Sequence, residues 1–128
     1  STEREVALRS GANMKDWVEI AGHTCESFDL PRDMDLFLSK YKTYDFVIPV
    51  FHGRYGEDAQ ITAFLDTLGC KVAYSPFMVH ALCMDKNSTN LLVAQFRVKI
   101  PESYFSKKGE TLSEKAWDFP LIVKPNRG

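Results

Sequence analysis

This sequence has no excess of positive charge. Its 16 Lys and Arg are balanced by 17 Asp and Glu, for a formal net charge of -1, and the basic residues are scattered along the chain. A nucleic-acid surface needs a cationic footprint, so that class is disfavoured, and any anion bound here is held by a few local residues. No run approaches the roughly 18 apolar residues of a membrane-spanning helix, and residues 1–20 are charged rather than signal-like. Neither a Walker A pattern nor GxGxxG occurs, so P-loop and Rossmann nucleotide sites are not indicated. Cysteine is scarce: Cys25, Cys70 and Cys83 lack CxxC spacing and sit among apolar neighbours. That usage fits reduced, buried thiols in a cytoplasmic protein. His23, His52 and His80 have no ligand spacing to one another, so no metal site is read from them. Internal repeats and low-complexity tracts are also missing.

What is present is an ordinary globular composition, 45% hydrophobic and 26% charged over 128 residues. That is enough chain for one domain with a real core, or a piece of something larger. "STEREVALRSGANMKDWVEIAGH" reads as a helix, with a Thr2–Glu5 capping box, apolar Met14, Trp17, Val18 and Ala21 on one face, and Gly22 as its stop. "TCESFDL" reads as a strand, and "RDMDLFLSKY" as a short helix presenting Met34, Phe37, Leu38 and Tyr41. "DFVIPVF" is a continuous apolar run of the kind buried on both faces of a parallel sheet. A helix over residues 59–68 follows, with Ile61, Phe64, Leu65 and Leu68 inward and Gly69 at its end. "CKVAY" is a strand candidate, and "PFMVHALCMDKNSTNLLVAQF" is helical with a break near Asp85–Ser88. "ESYFS" and "FPLIVKP" read as strands separated by the polar "KKGETLSEKAWD". The alternation predicts an α/β fold, a mostly parallel sheet flanked by helices. Opening on a helix and stopping just after a strand, the two ends read as cuts in a longer chain.

Several residues carry candidate chemistry. In open parallel sheets ligands bind beyond the carboxyl ends of strands, and His52 lies there, after residues 47–51. In "VFHGRYGED", Gly53 and Gly56 permit sharp turning and close approach, while Glu57 and Asp58 are expected in the first turn of the next helix. His52 is therefore either a working residue or a turn histidine bonded to backbone. Glu3, beside a helix start, has an ordinary role in complementing the dipole. Lys124 closes "LIV" at a strand end, a good place to meet phosphate, although surface lysines are common there. Lys86, at the helix break, carries the same two readings. Cys83 is three positions from His80 and could share its helix face, but its apolar setting favours an inert thiol.

Taken in order, the segments resemble one family. "STEREVALRSG" resembles the "GGxSxEREVSLxSG" signature of D-alanine–D-alanine ligases, "HGRYGED" their "HGxxGEDG", "HALCMDKNSTNLL" their "SALAMDKxxTKxLL", and "FPLIVKPNRG" their "FPLIVKPxxxGSS". The chain differs from these patterns at Ala7, Ala59 and His80, where the family has serine, glycine and serine. The resemblance implies an ATP-grasp ligase that uses ATP and Mg²⁺ to activate a carboxylate as an acyl phosphate, which an amine then attacks. In this family both substrates are D-alanine and the dipeptide serves peptidoglycan synthesis. By the same resemblance Glu3 engages the amino group of the first D-alanine, His52 lies beside its carboxylate, and Lys86 and Lys124 hold ATP phosphates. Residues 1–85 then correspond to the Rossmann-like N-terminal (pre-ATP-grasp) domain without its first strand. Residues 86–128 correspond to the start of the ATP-grasp central domain, short of its serine-rich loop and Mg²⁺ carboxylates. Such a piece alone is expected to be inactive, and its longer form a homodimer. The alternatives are a ligase joining D-alanine to another amino or hydroxy acid, and a non-catalytic α/β binding module that retains the fold.

Overall fold

The computed structural model describes residues 2–110 and 119–127. The chain forms two compact units, residues 1–81 and 82–128. Its helices are α1 (Thr2–Ile20), α2 (Met34–Lys40, continued by a 3-10 turn at Tyr41–Thr43), α3 (Gln60–Thr67), α4 (Phe77–Met84) and α5 (Lys86–Gln95).

The end of α1 follows from its glycine. Gly22 takes φ +87, and the N–H groups of Gly22 and His23 donate to the carbonyls of Glu19 (3.0 Å) and Val18 (3.2 Å). This is the paired closure of a Schellman cap, which a left-handed residue makes possible. The Thr2 side chain, and with it the expected capping box, lies outside the described residues. The apolar face expected of α1 is mostly uncovered: Trp17 is 68% exposed, Met14 and Ala21 are also exposed, and Val18 is half-buried. Polar contacts hold the other end instead, where Arg4 pairs with Asp29.

In the first unit, burial centres on α2 and α3. Phe37 of α2 is 3% exposed; its ring lies edge-on to Phe28 with centroids 5.5 Å apart and tilted on Tyr41 at 6.1 Å. In α3, Leu65 and Thr62 are buried, as is Ala59 just before it. Leu65 is thus the anchor that the spacing of Ile61, Phe64, Leu65 and Leu68 predicts. The helix spans 60–67 rather than 59–68, because Ala59 takes φ 76, outside the helical region.

The expected parallel sheet is reduced to one bridge. Among the described residues the β-pairing is Val47 with Val72, parallel, built from Val47 N–H to the Lys71 carbonyl (2.8 Å) and Ala73 N–H to the Val47 carbonyl (3.2 Å). The next rung of a parallel ladder would need an N–H at residue 49 donating to Ala73. Residue 49 is Pro49, which has none, so pairing stops there. "TCESFDL", "ESYFS" and "FPLIVKP" are extended or irregular, without ladder partners among the described residues. An apolar run records a preference for burial, but a strand also needs a neighbouring row of backbone groups, and the described residues supply none to these segments. Most of the linker "KKGETLSEKAWD" lies outside the described residues.

The second unit begins within the last turn of α4, and α4 and α5 are separated at Asp85, within the break that the sequence predicts. The Thr89 hydroxyl donates to the Leu82 carbonyl (2.8 Å) and the Asp85 carbonyl (2.9 Å), fastening the corner. The apolar residues of "FPLIV" are exposed, Val123 by 97%.

Candidate functional site

The loop between Phe51 and α3 is shaped by close approach. Gly56 is buried, and a Cβ there would run into the Phe51 side chain, with Cγ 2.9 Å away. Gly53 takes φ +72, and a Cβ there would lie 2.9 Å from Glu3 Cδ and 3.2 Å from Glu3 Oε1. The carboxylate of Glu3 on α1 therefore rests against the backbone next to His52. Glycine suits residue 53 on two counts: its backbone is left-handed, and the missing side chain leaves the Glu3 carboxylate its place there.

His52 has a hydrogen-bond partner at one ring nitrogen and a carboxylate near the other. Nε2 stands 3.3 Å from the Ser10 hydroxyl oxygen, and Nδ1 is 3.9 Å from Glu57 Oε1. The other Glu57 oxygen accepts the Gly53 N–H at 2.9 Å, and the Glu57 N–H donates to the Gly53 carbonyl at 2.9 Å. Glu57 and Asp58 thus do not occupy the first turn of α3, as the sequence suggests. The chain passes through positive φ at Tyr55 and Ala59, which delays the helix and turns Glu57 back toward His52. Asp58 sits just ahead of the helix. Burial pushes its carboxyl up, but hydrogen bonds from the Tyr55 and Gln60 backbone and the Gln60 side chain outweigh this and leave it below the usual range.

Glu3, His52, Arg54 and Tyr55 line one groove of about 1720 Å³ beneath α1. This exceeds the roughly 300–1,000 Å³ of a fitted small-molecule pocket, so the groove is not a fitted cavity, and Glu3, His52, Arg54 and Tyr55 form one stretch of its lining. The Arg54 guanidinium lies 4.9 Å from the Tyr55 ring centroid, a cation–π contact on that stretch. Glu3, His52 and Arg54 thus place a carboxylate, an imidazole and a guanidinium along one groove.

Lys86 and Lys124 belong to the second unit. The Lys86 N–H donates to the carbonyl of Asn126, two residues beyond Lys124, at 3.1 Å, which brings the two backbones to one corner. Asp85, at the start of α5, accepts from the Ser88 N–H (2.9 Å) and from Arg127 Nε (2.9 Å). These bonds and one from the Asn126 side chain hold its carboxyl well below the usual carboxylate range. No group of three His, Cys, Asp or Glu that could ligate a metal occurs among the described residues.

Sequence reasoning missed Ser10, Asp85 and Asn126. Ser10 had a signal, since it falls seven positions after Glu3 and so on the same face of α1. Asp85 had one as well, an acidic residue directly ahead of a helical segment. For Asn126 no local pattern announces partners so far away in sequence. The thiols are also less buried than expected. Cys25 and Cys70 are intermediate and Cys83 is exposed, all three free; burial pushes the Cys70 thiol up, away from reactivity.

No family model matches the chain. A D-alanine–D-alanine ligase of Thermotoga petrophila is 34% identical over 127 residues, spanning 99% of this chain and 41% of that protein. The same-named protein of Rhodospirillum rubrum is 32% identical over 98% of this chain and 42% of its own length. The crystal structure of a D-alanine–D-alanine ligase from Bacillus anthracis, complexed with ATP, superimposes with a TM-score of 0.75 at 30% identity, over 100% of this chain and 45% of that one. The chain spans about two fifths of the curated relatives it matches. By sequence and by fold, this chain fits along its whole length a segment of the D-alanine–D-alanine ligase family.

Proposed function

We propose that this chain is part of a cytoplasmic, homodimeric ATP-dependent ligase that joins two D-alanine molecules through an acyl phosphate for peptidoglycan synthesis. In this reading residues 1–85 are most of its N-terminal domain and 86–128 the start of its ATP-grasp domain. The observation that carries it is the meeting of Glu3 with the His52–Gly53 backbone on one groove wall. Glu3 supplies negative charge for the ammonium of the first D-alanine. His52, oriented by Ser10 with the Glu57 carboxylate nearby, faces its carboxylate, the group to be activated. Positioning and charge neutralisation provide most of the acceleration in phosphoryl transfer. Lys86 and Lys124 suit that work, with ammonium groups placed against the phosphates of ATP.

Mg²⁺ would supply further charge neutralisation when bound. The described residues offer no cluster of carboxylates to hold it, and no step is assigned to it. The test is nucleotide turnover by the longer protein that contains this chain, with D-alanine set against a panel of other amino and hydroxy acids. D-alanine-dependent release of phosphate is expected, with kcat/KM falling in both Glu3→Gln and His52→Ala. Absence of D-alanine-dependent release refutes the reading; unchanged turnover in His52→Ala removes the role of that residue.

A further inference from the structure

An α-helix opens with four backbone N–H groups that have no acceptor inside the helix. In α5 every one of them is taken. The Asp85 N–H, at the cap, donates to the Leu82 carbonyl (3.0 Å) and the Lys86 N–H to the Asn126 carbonyl (3.1 Å). The Asn87 N–H donates to Asn126 Oδ1 at 2.8 Å, and the Ser88 N–H to Asp85 Oδ1 at 2.9 Å. Half of these acceptors come from Asn126. Its side chain also hydrogen-bonds Asp85, whose other oxygen takes Arg127 Nε at 2.9 Å. The first turn of α5 is therefore closed to anions, and any phosphate bound at this corner must be held by side chains.

We infer that Asn126 is a positioning residue that fixes the Lys124–Pro125 segment to the first turn of α5, so that Lys86 and Lys124 act as one grip on a polyphosphate. The inference rests on the phosphate roles proposed for the two lysines and adds the device that couples them. Without the clamp each lysine sits on its own backbone. With it, the lysines begin at opposite ends of one hydrogen-bonded corner, and the entropy of bringing two long side chains to one ligand is partly spent in folding.

The experiment titrates the 128-residue chain with tripolyphosphate by calorimetry and follows exchange of the Asn87 amide proton by NMR. Lys86→Ala and Lys124→Ala should each weaken binding, and the double change should weaken it by a factor that departs from the product of the two. Asn126→Ala should cost about fivefold in affinity, the scale of one hydrogen bond. It should also accelerate Asn87 exchange and make the two lysine effects independent. Asn126→Asp alone sets two carboxylates together and should weaken binding as well. Combining it with Asp85→Asn restores an amide–carboxylate pair and should recover both affinity and protection. Lysine changes that matter while Asn126→Ala leaves affinity and coupling intact refute the clamp alone. No tripolyphosphate binding, or binding indifferent to both lysines, refutes the phosphate reading and the clamp with it.

Discussion

Gly53 and Gly69 form a matched pair, because both take φ +72. An alanine at either position meets the same left-handed penalty, about 1–2 kcal/mol. The surroundings differ. A Cβ at Gly69 has nothing within 4 Å, whereas one at Gly53 would press on the Glu3 carboxylate, 2.9 Å from its Cδ. Glu3 is exposed and its carboxylate is the far end of a flexible side chain, so it can swing aside at little cost. Gly53→Ala and Gly69→Ala should therefore lower unfolding free energy by similar amounts, within about 0.5 kcal/mol of each other, the usual tolerance for independent sites. Urea unfolding with unchanged slopes reads this difference. The functional consequence should be one-sided. In the proposed ligase, Gly53→Ala should raise KM for the first D-alanine by about tenfold or more, the scale of a displaced charge-assisted contact, and leave KM for ATP unaltered, while Gly69→Ala should change neither. The reasoning fails if Gly53→Ala is much the more destabilising, since that would make Glu3 a fixed wall rather than a mobile one. It also fails if both variants leave KM for D-alanine alone.

Leu65→Ala, at a residue 1% exposed, should cost about 2–5 kcal/mol, seen as a shift of the urea midpoint; a loss below 1 kcal/mol would mean that the core lies elsewhere. Asp85 is held below its usual range by the Ser88 N–H, Arg127 and Asn126. Its folded pKa lies under its unfolded value, so its contribution is present above about pH 4 and fades as pH falls further; Ser88 amide exchange should accelerate there in the native chain and respond less in Asp85→Asn. Tyr44 runs the opposite way. Burial and its hydrogen bond to Glu26 push it up to about 12, so its stabilisation is complete below pH 10 and lost as pH rises through 12. Burial also raises Tyr74, so phenolate absorbance should show two of the five tyrosines titrating late, and Glu26→Gln should move Tyr44 earlier while leaving Tyr74 in place.

The helices were legible because their causes are local. The Gly22 stop, the break at Asp85 and the inward position of Leu65 each depend on residues within a turn or two. The candidate site was legible only as an ordered set of motifs: no periodicity in α1 says that Glu3 will rest on Gly53, and its ordinary helix-dipole role describes the same residue equally well. The position of Glu57 was misread for a related reason, since left-handed Tyr55 and Ala59 have no side-chain signature.

By itself the sequence determined where the backbone coils and which side chains prefer burial, because helix capping and apolar spacing act over a few residues. Only the tertiary structure decided that "DFVIPVF" makes a single parallel bridge among the described residues, that Ser10 meets His52, and that Asn126 closes the start of α5. Each depends on a hydrogen-bonding partner outside the local segment or on backbone geometry that the residue type leaves open, and a linear pattern cannot name such a partner until the chain has folded.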